Sequence, residues 1–523
     1  MSLSVSCVKN WILEDPLLDY LNLYGNPDEK DTFAFPECNF TTYIMNKGVE
    51  YERRIYDHIN KHRDTYSMQI IDRKHFYKQT QDAFRENIDI ICQPFLKDYN
   101  YRIFNKYQIY GFPDIIIKKQ AFIHLFKPCA WIDSITDDSY IVIDVKYSSF
   151  TFSEESELMP KRHYDTFVEC QVMLYQHLIN AQKIQNVKYA CIVPKQEVND
   201  GQKLNVLWID MNKQTHNYKH CEKAFLWNTY VNTPYFSKYT LNELITGQDR
   251  VQLMPNLNNN MDYPWSSYKN KLARQYGEIS LFSGVGSVLR KQLHTLKIYT
   301  VDSFRSSPLN VIEDPLVNCV KDMTRILIQS FDKHTFLKDP CIVQNHLRMY
   351  IDIETCYVFE QSREKIVMIC CGYMKDGKWI VYYFTNIKEW ILFMDNFKQY
   401  TVVHFSSAEK KVLQQLSYDV LTEDLYVKIK ELYRTNKLRI EGLTSFSIKD
   451  IMKRLYESKC IEVNPYESCR IKSGMEVLTI YNWMFENELM DENIIKEVEK
   501  YNEADVKSLY LIDRFLSSTI LKN

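Results

Sequence analysis

An aspartate and a lysine stand two residues apart at the end of an apolar run, Tyr140-Ile-Val-Ile-Asp144-Val-Lys146. The alternation of the run predicts a strand, in which successive side chains point to opposite faces. Asp144 and Lys146 then share one face, while Ile141 and Ile143 pack on the other. The carboxylate can hold a divalent cation, and the ammonium can orient a water molecule beside it.

A third charged residue, Glu52, precedes this strand on a predicted helix. The inward-facing stripe of that helix is predicted to comprise Val49, Glu52, Tyr56 and Ile59. A buried carboxylate is costly when it has no partner. Its place on this stripe therefore suggests a functional role for Glu52.

Another acid and a pair of polar residues flank the strand in the sequence. Asp114 follows a Gly/Pro turn, Tyr110-Gly-Phe-Pro-Asp114, at the start of an Ile-rich strand. Beyond the lysine, Gln171 and Tyr175 are four residues apart and so lie on one face of a predicted helix. These two side chains could orient the lysine, the attacking water or a phosphate.

Four spaced elements, Gly-x3-Glu, Gly-x2-Asp, Asp-x-Lys and Gln-x3-Tyr, occur in this order within residues 48–175. Together they resemble the RecB-type branch of the PD-(D/E)XK nucleases. For Asp-x-Lys alone, a strand-end ion pair is the alternative, but four elements in order favour the nuclease. The resemblance implies Mg²⁺ or Mn²⁺ ligands at Glu52, Asp114 and Asp144, with Lys146 near the nucleophile and Gln171 and Tyr175 in support.

A second group of acids lies in the C-terminal part of the chain. In Tyr350-Ile-Asp352-Ile-Glu354, the alternation places the tyrosine and both acids on one face of a strand. Two like charges so placed invite a cation. Asp505 interrupts the apolar stripe of a predicted helix, and Tyr501 lies one turn earlier.

The spacing Asp-x-Glu with a distant Tyr-x3-Asp resembles the DEDD exonucleases. This resemblance implies an RNase H-like 3′-5′ exonuclease domain, in which Asp352, Glu354 and Asp505 hold the metal and Tyr501 holds the water. The second motif departs from the family pattern of an Asn followed by an Asp.

The corresponding stretch here is Val402-Val-His404-Phe-Ser-Ser-Ala-Glu409. Glu409 is the candidate for the remaining ligand, and His404 is expected to pack at a strand end. A degenerate, structural C-terminal domain is the alternative.

A glycine turn, Gly284-Val-Gly286, lies between the two groups of acids and resembles one helix-hairpin-helix unit. Such a turn offers backbone N–H groups to a phosphate. Residues 266–297 carry six Lys or Arg against Glu278 alone, in a chain whose formal net charge is -2. Nucleic-acid contacts are therefore predicted for Gly284, Gly286, Arg290 and Lys291. A solvated linker helix is the alternative.

The chain has 523 residues, of which 45% are hydrophobic and 25% charged, as is typical of soluble globular domains. We expect a RecB-type domain over 1–255, a linker with the helix-hairpin-helix over 256–335, and an RNase H-like domain over 336–523. The loop Pro255–Pro264 marks the first boundary. The expected fold class is α/β: a restriction-endonuclease-like mixed sheet flanked by helices, a small helical hairpin region, and an RNase H-like α/β domain.

The sequence shows no signal peptide and no long apolar stretch, so we expect an intracellular protein without a membrane partner, in a host cell if the source is viral. The cysteines are expected to be free thiols. No iron-sulfur cluster is expected, because Cys38 could be a first ligand but only Cys191 and Cys221 follow Tyr175 within the domain.

The sequence also has no Gly-x4-Gly-Lys-Ser/Thr loop, so any helicase, or any replication or repair protein, would be a separate partner. The resemblance implies a metal-dependent DNA nuclease with two hydrolytic sites in repair, recombination or replication-linked processing, with RNA as the other candidate substrate. A nucleic-acid-binding scaffold, in which only the N-terminal site is active, is the alternative function.

Overall fold

The structure is a computed structural model that describes residues 2–32, 35, 40–98, 107–183, 185–247, 250–307, 322–338, 347–358, 363–405, 407–415 and 420–517. The chain forms two compact units. The first comprises Met1–Lys30 and Ile44–Ser266, and the second comprises Asp31–Tyr43 and Ser267–Asn523. The expected linker, 256–335, is thus divided between them. Helices and mixed sheets occur in both units, which confirms the α/β class.

The asparagine-rich loop expected at the first boundary belongs to the first unit. Asn256 donates a hydrogen bond to the carbonyl of Glu14 at 3.0 Å. Asn259 donates one to Oδ2 of Asp15, also at 3.0 Å. Both asparagines are buried, so the loop is held by specific side-chain bonds to this unit.

The strands of the first unit are β1 (Ser2–Ser4), β2 (Met68–Ile70), β3 (Ile90–Cys92), β4 (Leu96–Lys97), β5 (Gln108–Gly111), β6 (Ile115–Lys118), β7 (Tyr140–Val145), β8 (Tyr189–Val193) and β9 (Leu207–Asp210). Its helices are α1 (Lys9–Ile12), α2 (Leu17–Tyr24), α3 (Phe40–Asn60, which begins in the second unit), α4 (Phe76–Arg85), α5 (Lys119–Leu125), α6 (His163–Lys183), α7 (Thr215–Val231), α8 (Leu241–Thr246) and α9 (Arg250–Leu253).

A six-stranded sheet, ordered β2-β3-β6-β7-β8-β9, forms the centre of this unit. β7 is antiparallel to β6 and parallel to β8, and all six of its residues are buried. Tyr140 and Val142 pack with α6 in one core, while Ile141, Ile143 and Val145 pack with α3 and α5 in another. The alternation predicted for this strand is therefore confirmed.

The predicted inward stripe of α3 is confirmed at Ile59 but is wrong at Val49. Val49 is 67% exposed, whereas Tyr51, Ile55 and Ile59 are buried. Glu52 is half-buried and lies beside this stripe. The error arises because apolar residues at helical spacing define two adjacent faces of α3. Only the packing against the sheet decides which of these two faces is buried.

The remaining strands are β10 (Phe336–Leu337), β11 (Arg348–Val358), β12 (Arg363–Lys375), β13 (Lys378–Phe384), β14 (Thr401–His404), β15 (Thr422–Asp424) and β16 (Leu438–Arg439). The remaining helices are α10 (Ser266–Tyr276), α11 (Ser287–Thr295), α12 (Val301–Arg305), α13 (Asp322–Ser330), α14 (Ile387–Met394), α15 (Ser407–Gln415), α16 (Leu425–Arg434), α17 (Ile448–Glu457), α18 (Gly474–Glu486) and α19 (Glu492–Ser517).

The second unit contains a five-stranded mixed sheet, ordered β13-β12-β11-β14-β15. β11 is antiparallel to β12 and parallel to β14. Met349 and Ile351 pack with Trp390 of α14 on one face, and α18 and α19 contact β11. Among the helices that the structure describes, none combines the length and the apolar character needed to cross a membrane.

Candidate metal centres

β6 and β7 bring Asp114 and Asp144 to the same edge of the six-stranded sheet. Ile115 pairs with Ile143 in the antiparallel ladder, so Asp114, which precedes Ile115, lies opposite Asp144, which follows Ile143. Oδ2 of Asp114 accepts a hydrogen bond from the backbone N–H of Val145 at 2.6 Å. Desolvation, and then the charge of Asp144, raise the pKa of Asp114 well above its usual range.

Lys146 forms an ion pair with Asp144, with Nζ 2.5 Å from Oδ2. Desolvation disfavours the ammonium, but Asp144 and Asp114 outweigh it and raise the pKa of Lys146 above its ordinary value. Lys146 is therefore charged at neutral pH. The strand-end ion pair expected of Asp-x-Lys alone is present, and a cation at Asp144 would have to use the other oxygen or displace the ammonium.

The carboxylate of Glu52 is held by two neutral donors. The hydroxyl of Tyr56 and Nε2 of Gln93 both donate to Oε1, the latter at 2.9 Å. Glu52 also contributes to the raised pKa of Asp114, after desolvation and Asp144, so it lies at the same edge. However, the oxygens of Glu52, Asp114 and Asp144 do not form a group within 4.8 Å of one another in the described residues.

Gln171 and Tyr175 lie together on α6, as their spacing predicts. Nε2 of Gln171 donates to the hydroxyl of Tyr175 at 3.1 Å, and both side chains are buried. Desolvation and the charge of Asp144 raise the pKa of Tyr175, while Lys146 opposes them. The tyrosine therefore stays protonated beside the aspartate and the lysine.

Asp352, Glu354 and Asp505 converge in the second unit. The first two project from β11, and the third comes from α19. Ligand oxygens of the three carboxylates all lie within 4.8 Å of one another, and no other such group of three occurs in the described part of the chain. The ladder between β11 and β12 shifts register between Glu354 and Thr355, where Val367 of β12 has no partner, so β12 has a bulge opposite this group.

The electrostatics of these three acids favour a cation. Desolvation, followed by the charges of Asp505 and Glu354, raises the pKa of Asp352 well above its usual range. Desolvation and then Asp505 raise the pKa of Glu354 to about 7. Desolvation also raises the pKa of Asp505, although a neighbouring lysine opposes it. Three carboxylates this close provide the oxygen donors that Mg²⁺ and Mn²⁺ prefer, so the residues fit such an ion.

Glu409 lies near these acids but outside their group of converging oxygens. It is buried on α15, and desolvation, with smaller effects of Asp424 and Glu354, raises its pKa to about 7. Its charge in turn contributes to the raised pKa of Asp352. His404 is fully buried at the end of β14, as expected of a packing residue, with Nδ1 3.9 Å from Oε2 of Glu409.

Three residues that contact the C-terminal acids or Tyr501 were not among the predicted site residues. Nζ of Lys449 donates to the hydroxyl of Tyr501 at 2.6 Å. The hydroxyl of Tyr466 donates to Oδ1 of Asp505, and Nδ2 of Asn502 donates to Oδ2 of Asp352. Asn502 follows Tyr501 directly, which is the one local signal that could have found it. The other two come from distant segments that only the fold brings to the acids.

Arg290 contacts a buried acid instead of facing solvent. Its Nε donates to Oε1 of Glu278 at 2.8 Å, and both side chains are buried. The same Glu278 oxygen lies 3.2 Å from Nε2 of His294. This ion pair replaces the phosphate contact expected of Arg290, because a buried carboxylate at 278 requires a compensating charge.

The two glycines of the turn differ in their surroundings. Gly284 has φ +98°, and a β-carbon there would lie 2.1 Å from Oγ1 of Thr324, whereas nothing lies within 4 Å of the corresponding position at Gly286. Lys269 is buried, and Arg274 is paired with Asp450. The exposed cations of the predicted basic segment are Lys271, Lys291 and Lys297.

Of the cysteines considered for a cluster, Cys191 and Cys221 are buried free thiols, and Cys38 lies outside the described residues. Comparisons of this chain with protein-family models, curated proteins and solved structures found no match. Function must therefore be inferred from the residues of the chain and their geometry.

Proposed function

We propose that this protein is a divalent-metal-dependent nuclease with two hydrolytic sites, one of the RecB PD-(D/E)XK type and one an RNase H-like 3′-5′ exonuclease site. The observation that carries the proposal is the convergence of Asp352, Glu354 and Asp505 within 4.8 Å. The proposed substrate is DNA, during repair, recombination or replication-linked processing. RNA is the competing substrate.

A divalent cation at the three acids would activate water and offset the negative charge of the scissile phosphate. The residues of the chain position the remaining groups. The hydroxyl of Tyr501 accepts a hydrogen bond from Lys449 at 2.6 Å and bonds to Asp505, so it lies where it can orient an attacking water. Glu409, buried nearby, is proposed as a further ligand.

In the N-terminal site, Glu52, Asp114 and Asp144 are proposed as ligands and Lys146 as the residue beside the nucleophile. Two contacts support this assignment: Asp114 and Asp144 face each other across β6 and β7, and Lys146 already contacts Asp144. Glu52 would have to move closer to complete the set. Gln171 and Tyr175 support the site from α6.

The alternative function is a scaffold in which the C-terminal domain has lost its site. The three converging acids and the tyrosine beside them argue against it, because clustered carboxylates without a cation repel one another and destabilise the fold. In a domain without a metal site, this repulsion among the carboxylates would lower stability with no functional benefit.

The deciding experiment incubates the purified protein with 3′- and 5′-labelled single- and double-stranded DNA and RNA, first with Mg²⁺ and then with Mn²⁺. The variants are Asp144→Ala, Asp505→Asn and the double variant. Asp302→Asn, on an exposed residue outside both sites, is the matched control. We expect Asp144→Ala to retain mononucleotide release from 3′ ends, Asp505→Asn to lose it, and the double variant to be inactive.

Two results would contradict the proposal. Equal digestion by the double variant and by Asp302→Asn would place the activity elsewhere. Absence of cleavage by the wild type with either metal on every substrate would show that neither site is active, which contradicts the scaffold with an active N-terminal site as well. If only Asp144→Ala abolishes cleavage, the C-terminal site is inactive, and the scaffold in which only the N-terminal site is active is supported.

A further inference from the structure

Two of the three converging carboxylates are held by neutral donors from the same chain. Tyr466 donates its hydroxyl proton to Oδ1 of Asp505, and Asn502 donates an amide proton to Oδ2 of Asp352. Each donor takes up one oxygen of its carboxylate. Asp505 is also hydrogen-bonded to Tyr501, so Tyr466 is one of two tyrosines that hold this carboxylate.

The ring of Tyr466 is fixed by its own surroundings. Tyr466 lies in a short 3₁₀ helix, Pro465–Ser468, where the side chain of Asn464 accepts the backbone N–H of Tyr466 at 3.2 Å. Nζ of Lys449 lies 5.5 Å from the centre of the Tyr466 ring and 4.4 Å from that of Tyr501. The backbone of Tyr466 is therefore held by Asn464, and its ring lies beside the ammonium of Lys449, so both contacts favour the orientation in which the hydroxyl reaches Asp505.

The contrast with the N-terminal site shows what a neutral donor achieves. There, Asp144 is held by the ammonium of Lys146 at 2.5 Å, which cancels part of the negative charge. A tyrosine hydroxyl orients Asp505 without cancelling its charge. The hydrogen bonds of Tyr466 and Asn502 thus fix the direction of two C-terminal carboxylates without adding a positive charge to them.

We propose that Tyr466 is a positioning residue that fixes the carboxylate of Asp505 and thereby sets the affinity of the C-terminal site for Mg²⁺ or Mn²⁺. This inference rests on the proposed metal-dependent function. Tyr466 acts through Asp505 and not on the substrate. Loss of a hydrogen-bond partner of a ligand typically weakens metal binding about 10- to 100-fold.

The test is calorimetric titration of Mn²⁺ into the full-length chain carrying Asp144→Ala, which removes a proposed ligand from the N-terminal site. Against this background, Tyr466→Phe is expected to weaken Mn²⁺ binding about tenfold or more. Tyr350→Phe is the matched control, because Tyr350 donates to Asp513, a buried acid outside the group, at 2.9 Å. Its Mn²⁺ affinity should equal that of the background.

A structural effect and a positioning effect are separated by two further measurements. Unfolding temperatures in EDTA measure the loss of stability without any contribution from metal. We expect Tyr466→Phe and Tyr350→Phe to lower the unfolding temperature by a similar amount. In an Asp505→Asn background, Tyr466→Phe should weaken Mn²⁺ binding no further, since the two residues act as one unit. Asn502→Ala tests the same principle independently at Asp352.

The outcomes distinguish the two proposals. If Tyr466→Phe binds Mn²⁺ as tightly as the background while Asp505→Asn binds it weakly, the positioning role is overturned and the metal site stands. The positioning role would also be overturned if Tyr466→Phe lowered the Mn²⁺ affinity by the same factor in the Asp505→Asn background as in the Asp505 background. Tyr466 would then act on the site independently of Asp505. If the background chain binds no Mn²⁺, the C-terminal metal site fails together with the inference.

Discussion

Gly111 and Tyr175 are in close contact: a β-carbon at residue 111 would lie 2.3 Å from Cε1 of the tyrosine ring. The glycine belongs to the Gly-x2-Asp element and the tyrosine to the Gln-x3-Tyr element. The glycine of the first element thus provides the space that the ring of the second occupies. This contact couples Asp114, three residues after Gly111, to the helix that carries Gln171 and Tyr175.

We expect Gly111→Ala to destabilise the protein by about 1–3 kcal/mol, because the added methyl group overlaps a buried ring. Displacement of Tyr175 should also lower the N-terminal activity and leave release from 3′ ends unchanged. Urea denaturation and the two activity assays measure these effects. Gly48→Ala is the control: it lies within α3 with nothing within 4 Å, so it should stabilise by about 0.5–1 kcal/mol. Equal urea midpoints for the wild type and Gly111→Ala would refute the contact.

The stability of the metal-free protein should depend on the charge of Glu354. Its pKa is raised from 4.5 to about 7 in the folded chain, so the folded state holds a proton that the unfolded state has released. This contribution to stability is complete below pH 4.5 and is lost as the pH rises through about 7. Thermal unfolding in EDTA should therefore show Glu354→Gln gaining stability relative to the wild type between pH 5 and 7.

Added Mn²⁺ should offset the loss of wild-type stability with rising pH, because the cation replaces the protons that the acids release. The metal-induced rise in unfolding temperature should grow from pH 5 to pH 7 and be small in Glu354→Gln. A difference between the variant and the wild type that is constant with pH would show that Glu354 does not titrate in this range.

Arg290→Ala is expected to lower the free energy of unfolding by about 3–5 kcal/mol, because it leaves Glu278 buried without its ion-pair partner. The double variant Arg290→Met with Glu278→Gln should recover part of the loss. Chemical denaturation provides the measurement. A cost below about 0.5 kcal/mol for Arg290→Ala, typical of surface positions, would show that the side chain faces solvent.

Lys291→Glu should leave stability nearly unchanged and weaken DNA binding, because Lys291 is exposed on α11. The slope of log affinity against log salt, measured in EDTA to prevent cleavage, should fall by about one. The control Lys388→Glu lies on α14, which packs on the face of the sheet opposite Asp352 and Glu354. Equal slopes for Lys291→Glu and the wild type would favour the plain linker helix.

Local spacing in the sequence determined which side chains share a face. The alternation of β7 puts Asp144 and Ile143 on opposite faces, and that of β11 does the same for Asp352 and Ile351, because the period of a strand is fixed by its backbone. The four-residue spacing of Gln171 and Tyr175 likewise gave their contact on α6. Directions of this kind need no knowledge of the rest of the chain.

Only the tertiary structure decided which of these side chains meet across long separations, and which charges are buried. It brings Asp505 to Asp352 and Tyr466 to Asp505, and it turns Arg290 inward to Glu278. Sequence spacing fixes the direction of a side chain along its own element. The distance between side chains on remote elements, and the degree to which those side chains are buried, depend on how the elements pack.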